Sequence, residues 1–195
     1  KTLSNDKLAN ICIGHHEGGI AEIVGSSCKH VVGGAGETVL CIDEIKESLT
    51  MVDGPAGIRI TQEYGIDKKG IYETTIDPLM EKMMDFLPSV VKPFIAPNNK
   101  KRHGTIYHQY TTAIPIGTAL AQSFNNDFIE KCGNLIYEEM EIFNVDLWLA
   151  PALNIHRNIL CGRNFEYYSE DPYLSGMIAT YMIKGVEKNN KGCTI

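Results

Sequence analysis

From Thr111 onward the apolar positions are regularly spaced. Phe128, Cys132, Leu135, Ile136, Met140 and Phe143 recur every three or four residues, which predicts a helix with one buried face. Asn126 is placed to cap it and Asn144 to end it. Val145–Leu149 then reads as a strand closed by Pro151. Asp171-Pro172 opens a second helix, with proline at the favoured first position. Its buried stripe is Leu174, Met177, Ile178, Tyr181, Met182 and Val186. Gly192 is expected to terminate it, and Cys193-Thr194-Ile195 to begin another strand.

The first half is less regular. Ser4 can cap a short helix with Leu8, Ile11 and Cys12 at helical spacing. The Gly-rich run Gly33–Thr38 lacks the Gly-Lys-Ser/Thr ending of a phosphate loop and reads as a connecting loop. Leu49-Thr50-Met51-Val52 predicts a strand that stops at Asp53-Gly54-Pro55. Residues 62–110 hold four prolines (Pro78, Pro88, Pro93, Pro97) and one expected short helix near Leu79–Phe86, and read as an insertion. Strand–helix–strand–helix–strand is the order of a parallel sheet covered by helices. A barrel and a doubly wound sheet both fit it. The polar residues directly after strands, Asp53 and the loop Asn154–Glu170, favour a barrel, where chemistry sits at the carboxyl ends.

Composition narrows the function classes. With 44% hydrophobic and 22% charged residues the chain is an ordinary soluble globular protein. A net charge of −6 argues against a nucleic-acid partner, and the basic cluster Lys100-Lys101-Arg102-His103 reads as a solvated loop. No apolar run reaches the ~18–20 residues a membrane span needs. The chain starts at Lys1 without a recognisable leader, which suggests a processed product or a piece of a longer chain and a cytoplasmic location. Cys12, Cys28, Cys41, Cys132, Cys161 and Cys193 form no CxxC pair, so buried reduced thiols are expected rather than disulfides or a metal site. No cofactor is expected.

Two segments are richer in polar groups than a structural loop requires. In Met51–Arg59 an aspartate held by Gly-Pro is either a turn cap or a rigid acceptor for a pair of sugar hydroxyls. Asn154–Pro172 packs two arginines, a histidine, three acids and three aromatics into 19 residues. That mixture is either an ion-pair network bracing the loop or a polyol site, with arginine forks on hydroxyls and rings against a sugar face.

Four ordered blocks decide which family the chain resembles. Thr50–Arg59, Ala113–Phe124, Leu149–Ile155 and Cys161–Pro172 together resemble the motifs of glycoside hydrolase family 3, the β-glucosidase-like enzymes, and Gly33–Thr38 is similar to the family's lead-in. The resemblance implies that Asp53 and Arg163 bind hydroxyls of the non-reducing sugar, with Arg59 and Glu166 supporting them. It implies an α/β chain forming an incomplete (β/α)8 TIM-type barrel of about the first four strands. Residues 1–45 would be a lead-in and 46–195 the first part of the barrel. A Lys-His pair, the nucleophile and the acid/base would follow downstream, so no catalytic residue is assigned within this chain. Retaining hydrolysis needs two carboxyl groups ~5–5.5 Å apart, and Asp53 and Glu166 are not promoted to those roles. The implied partners are a β-glucoside or related sugar and the remaining barrel and C-terminal domains, from the same protein or another chain. The competing reading is a catalytically silent glycan-binding or regulatory fragment. An unrelated α/β or Rossmann-type enzyme is disfavoured, since no Gly-x-Gly-x-x-Gly follows a strand.

Overall fold

The computed structural model describes residues 3–12, 28, 30–38, 47–74, 85–86, 88 and 103–195. Helix α1 (Asn5–Ile11) is capped as expected: the Lys7 N–H donates to Ser4 Oγ at 3.3 Å. Its Leu8 is exposed. Strands β1 (Gly36–Glu37) and β2 (Thr50–Val52) are followed by β3 (Glu63–Asp67), β4 (Gly70–Glu73) and β5 (Thr105–His108). Helix α2 (Gly117–Gln122), α3 (Asn126–Phe143), β6 (Leu147–Trp148), a 3-10 turn (Asn164–Glu166), α4 (Pro172–Val186) and β7 (Gly192–Cys193) complete the order.

The principal sheet runs β1-β2-β6-β7. Strands β2, β6 and β7 are parallel, aligning Val52 with Trp148 and Trp148 with Cys193. Helical segments precede β6 and separate it from β7, so the chain is α/β as the pattern predicted. Strand β1 corrects the connecting-loop reading of Gly33–Thr38: it pairs antiparallel with β2, Gly36 with Met51 and Glu37 with Thr50. Two residues are too short for side-chain alternation to register, and the pairing is made by the partner strand.

Helix α3 starts one residue earlier than a cap at Asn126 implies. Asn125 is the cap, its Oδ1 accepting the Phe128 N–H at 3.0 Å. Phe128, expected in the buried stripe, faces outward, and Ile129 takes the buried position beside Cys132, Ile136 and Met140. Asn144 ends the helix in the left-handed conformation, φ 55°. In α4 the Asp171 carboxylate caps the Tyr173 N–H at 2.9 Å, with proline in the first turn. This helix stops at Val186, ahead of Gly192, which is instead the first residue of β7. Asn189 and Asn190 at positive φ make the reversal before the glycine is reached. Helices α3 and α4 meet backbone to backbone: a Cβ on Gly133 would lie 2.3 Å from Met182 O, and one on Gly185 2.5 Å from Glu130 O.

Val52, Trp148, Ile129, Ile136, Met140, Ile178, Met182 and Val186 share one core. Burial of apolar surface on this scale is the main stabilising term. The described cysteines are free, but the buried-thiol expectation holds only in part. Cys28 and Cys132 are buried, whereas Cys12 and Cys161 are exposed, one after a short helix and the other on a loop. Cys41 lies outside the described residues. Burial, aided by nearby Glu187, pushes the Cys193 thiol up to about 12.

The segment 62–110, which lacks hydrophobic patterning, contains a second sheet, β4-β3-β5, antiparallel throughout. Apart from Asp85 and Phe86, the short helix expected near Leu79–Phe86 lies outside the described residues, as does the basic cluster except His103.

Candidate functional site

Because β2, β6 and β7 run in register, their carboxyl ends open on one edge of the sheet. Asp53 follows β2 directly, and the loop carrying Arg163 follows β6.

The Asp53 turn is held from several sides. Arg59 N–H donates to Asp53 O at 2.9 Å, making the bridge that closes the turn, and Gly57 N–H donates to Gly54 O at 3.0 Å. Gly54 and Gly57 have φ of +125° and +122°, a region that L side chains rarely adopt. A Cβ on Gly54 would fall 1.9 Å from Gly57 O. From β6, the Trp148 indole N–H donates to Gly54 O at 3.0 Å. Trp148 is fully buried, so Asp53 is attached to the best-packed part of the molecule while remaining exposed.

The Arg163 loop is folded around the 3-10 turn. Thr118 Oγ1 on α2 lies 3.1 Å from Asn164 O and 3.0 Å from Tyr167 O. His156 Nε2 lies 2.8 Å and 3.2 Å from the same two carbonyls. Both partners are acceptors, so Nε2 carries the proton and donates. The His156 ring also tilts against Tyr167, with centroids 6.3 Å apart. This gathering of carbonyls orders the turn that presents Arg163.

Arg163 Nε donates to Glu166 Oε1 in an ion pair between an exposed guanidinium and a mostly buried carboxylate. The guanidinium also stands over the Tyr167 ring, 5.8 Å from its centroid. Its pKa is raised, first by the hydrogen bond and charge of Glu166 and, more weakly, by Tyr167 and Asp53. Asp53 is therefore within electrostatic reach of Arg163, although Glu166 is the direct partner.

All four residues singled out in the sequence lie in these two segments. Asp53 and Arg163 come to one edge; Glu166 braces Arg163; Arg59 closes the Asp53 turn through its backbone. Thr118, His156 and Trp148 carry supporting roles that the sequence reading did not assign. The histidine stood in a loop crowded with polar groups, but its two carbonyl partners are set by the fold. Chemically the edge offers a carboxylate acceptor and a guanidinium donor, groups that can hydrogen-bond a polyhydroxylated ligand. Among the described residues no group of three or more His, Cys, Asp or Glu could hold a metal ion. A surface hollow lined by Ile66, Asp67, Lys68, Lys69 and His103 lies on the small sheet and shares no residue with this edge.

Residues 93–193 match the glycosyl hydrolase family 3 N-terminal domain. Beta-glucosidase A of Butyrivibrio fibrisolvens is 33% identical over 188 residues, 96% of this chain but 16% of that protein. Thermostable beta-glucosidase B of Acetivibrio thermocellus is 44% identical over 84 residues, 43% of this chain and 11% of its own length. Among solved structures, beta-glucosidase 3B from Thermotoga neapolitana in complex with alpha-D-glucose superposes with a TM-score of 0.67 at 32% identity, covering 98% of this chain and 21% of that one. The chain thus spans a small part of the relatives it resembles. With the matched domain covering more than half its length, this chain belongs to glycosyl hydrolase family 3, within the family's N-terminal domain.

Proposed function

We propose that these residues form the sugar-binding part of a retaining glycosidase that removes non-reducing terminal β-D-glucosyl or related residues. The observation that carries this reading is the convergence of Asp53 and Arg163 at the carboxyl edge of adjacent parallel strands, in mutual electrostatic reach. Asp53 accepts from sugar hydroxyls and the Arg163 fork donates to them, with Glu166 and the closed Asp53 turn keeping both in place. Positioning of one glycosyl unit is the chemistry such a pair supplies.

In this reading the three parallel strands and the β1 edge are the start of an incomplete (β/α)8 barrel. Residues 1–45 are the lead-in and 62–110 an insertion. A complete barrel takes ~250 residues, so further polypeptide, in the same protein or another chain, supplies the rest together with the nucleophile and acid/base. Glu166 is committed to Arg163 and is unsuited to attack.

The test has two arms. The 195-residue chain alone should turn over no aryl β-glucoside above background. In the complete polypeptide, Asp53→Asn should lower kcat/KM by at least about 100-fold, since a charge-assisted hydrogen bond contributes ~1.5–3 kcal/mol and a hydroxyl pair can use two. Turnover by the isolated chain that disappears with Asp53→Ala would overturn the division of labour. A complete polypeptide that binds glucose but hydrolyses nothing would favour the silent glycan-binding reading.

A further inference from the structure

Glu139 sits on the inner face of α3, buried beside Ile136 and Met140. A carboxylate at such a position is costly unless hydrogen-bonded. Its Oε1 accepts the Thr112 N–H at 2.7 Å. Its Oε2 is buried with no hydrogen-bond partner among the described residues. For stability alone this is a poor arrangement, because an apolar residue would cover the same face without desolvating a carboxyl group. What Glu139 holds is therefore the point of interest.

Thr112 belongs to the segment 109–114, which runs along the Asp53–Arg59 turn and walls it on one side. Thr111 Oγ1 donates to Ile58 O at 2.6 Å and the Ile114 N–H to Ala56 O at 3.0 Å. Gly57 lies so close that an added Cβ would meet Thr112 O at 2.3 Å. Gln109 extends the seam, its Nε2 donating to Thr61 O at 2.6 Å and to Val32 O at 3.0 Å. The segment is thus stitched to the turn on one side and tied to helix α3 by Glu139 on the other.

We infer that Glu139 is a positioning residue for Asp53: through the Thr112 amide it sets where the wall stands against α3, and so where the Asp53–Arg59 turn stands at the edge of the sheet. The consequence for a substrate rests on the sugar-binding reading of Asp53; the mechanical link does not. Two substitutions separate the roles. Glu139→Leu fills the apolar face but leaves the Thr112 N–H without its acceptor. Glu139→Gln keeps an acceptor oxygen.

In the complete polypeptide, amide hydrogen exchange and aryl β-glucoside kinetics are measured for both variants, for Asp53→Asn and for Glu139→Leu combined with Asp53→Asn. Glu139→Leu should speed exchange in residues 53–59 and 109–114 by about tenfold or more while leaving α4 unchanged, the mark of local opening. It should lower kcat/KM by about tenfold, with no further loss when added to Asp53→Asn, because coupled residues are non-additive. Glu139→Gln should recover at least half of both effects. Unchanged exchange in 53–59, or faster exchange throughout α4 as well, would overturn the inference. So would losses that multiply in the double variant, or a Gln variant no better than Leu. If Asp53→Asn itself leaves kcat/KM intact, the sugar reading of Asp53 fails, and the exchange data still decide the role of Glu139.

Discussion

The principal sheet shares one core with α3 and α4, and its central strands contribute the fully buried Val52 and Trp148. The smaller sheet β4-β3-β5 has no described helix over it, and every residue of β5 is exposed. Its internal order comes from stacking of Tyr64 on Tyr107, with centroids 5.6 Å apart, and from Tyr72, which packs over Gly65. The two sheets thus differ in what holds them: two-layer burial in one, cross-strand pairs and ladder hydrogen bonds in the other. The candidate site sits on the first kind, where the Asp53 turn is anchored to Trp148. Rigid attachment of exposed polar groups is what a positioning site requires.

That contrast can be tested at its strongest point. Trp148→Ala should destabilise the fold by about 3–5 kcal/mol in urea denaturation, the cost of a large cavity in a packed core. A loss below about 1 kcal/mol would mean the core does not depend on it. Trp148→Phe should retain most of the packing yet leave Gly54 O without its donor, a smaller loss of about 1–3 kcal/mol. Arg163→Lys in the complete polypeptide should lower kcat/KM by about tenfold, because an ammonium cannot reproduce the guanidinium fork. Near-parental kinetics would leave Arg163 a brace for Glu166.

Thiol chemistry probes the same packing. Iodoacetamide at pH 8 should label exposed Cys161 at least about tenfold faster than Cys193, since the thiolate is the nucleophile. With its pKa pushed up to about 12 from an ordinary 9.0, Cys193 stays protonated through neutral and mildly alkaline pH. The part of stability linked to that shift is complete below about pH 9 and is lost as pH rises toward 12. Equal labelling rates would contradict the described burial. At the small end, Ile106→Thr on β5 should change stability by no more than about 0.5 kcal/mol, as surface substitutions do. A larger loss would show that the small sheet is covered by something that packs on it.

Much of the principal layer is legible in the sequence. Helices α3 and α4 declare themselves because 3.6-residue periodicity is a local property, and Asp171-Pro172 marks a start that needs no tertiary help. The strand ending at Asp53-Gly54-Pro55 was legible for the same reason. The small sheet was not, since its strands are short and bury little apart from Gly65 and Tyr72, so they carry little apolar alternation. That Ile129 rather than Phe128 takes the buried place depends on which face of α3 packs on the core, and Asn125 and Asn126 are both residues that cap helices.

For the site, the sequence alone determined its chemical inventory: an aspartate after one strand, an arginine, a glutamate and a histidine after another, and glycines where the turn needs positive φ. Only the tertiary structure decided the arrangement. Thr50 and Asp146 are joined by a 2.8 Å hydrogen bond although 96 positions apart, and pairings like that one align β2 with β6 and bring Asp53 into electrostatic reach of Arg163. Likewise the carbonyls gathered by Thr118 and His156, and the amide held by Glu139, exist only once helix and loop are packed. Local spacing specifies which groups a segment can present. Which of them meet is specified by strand register and helix packing, which are properties of the whole chain.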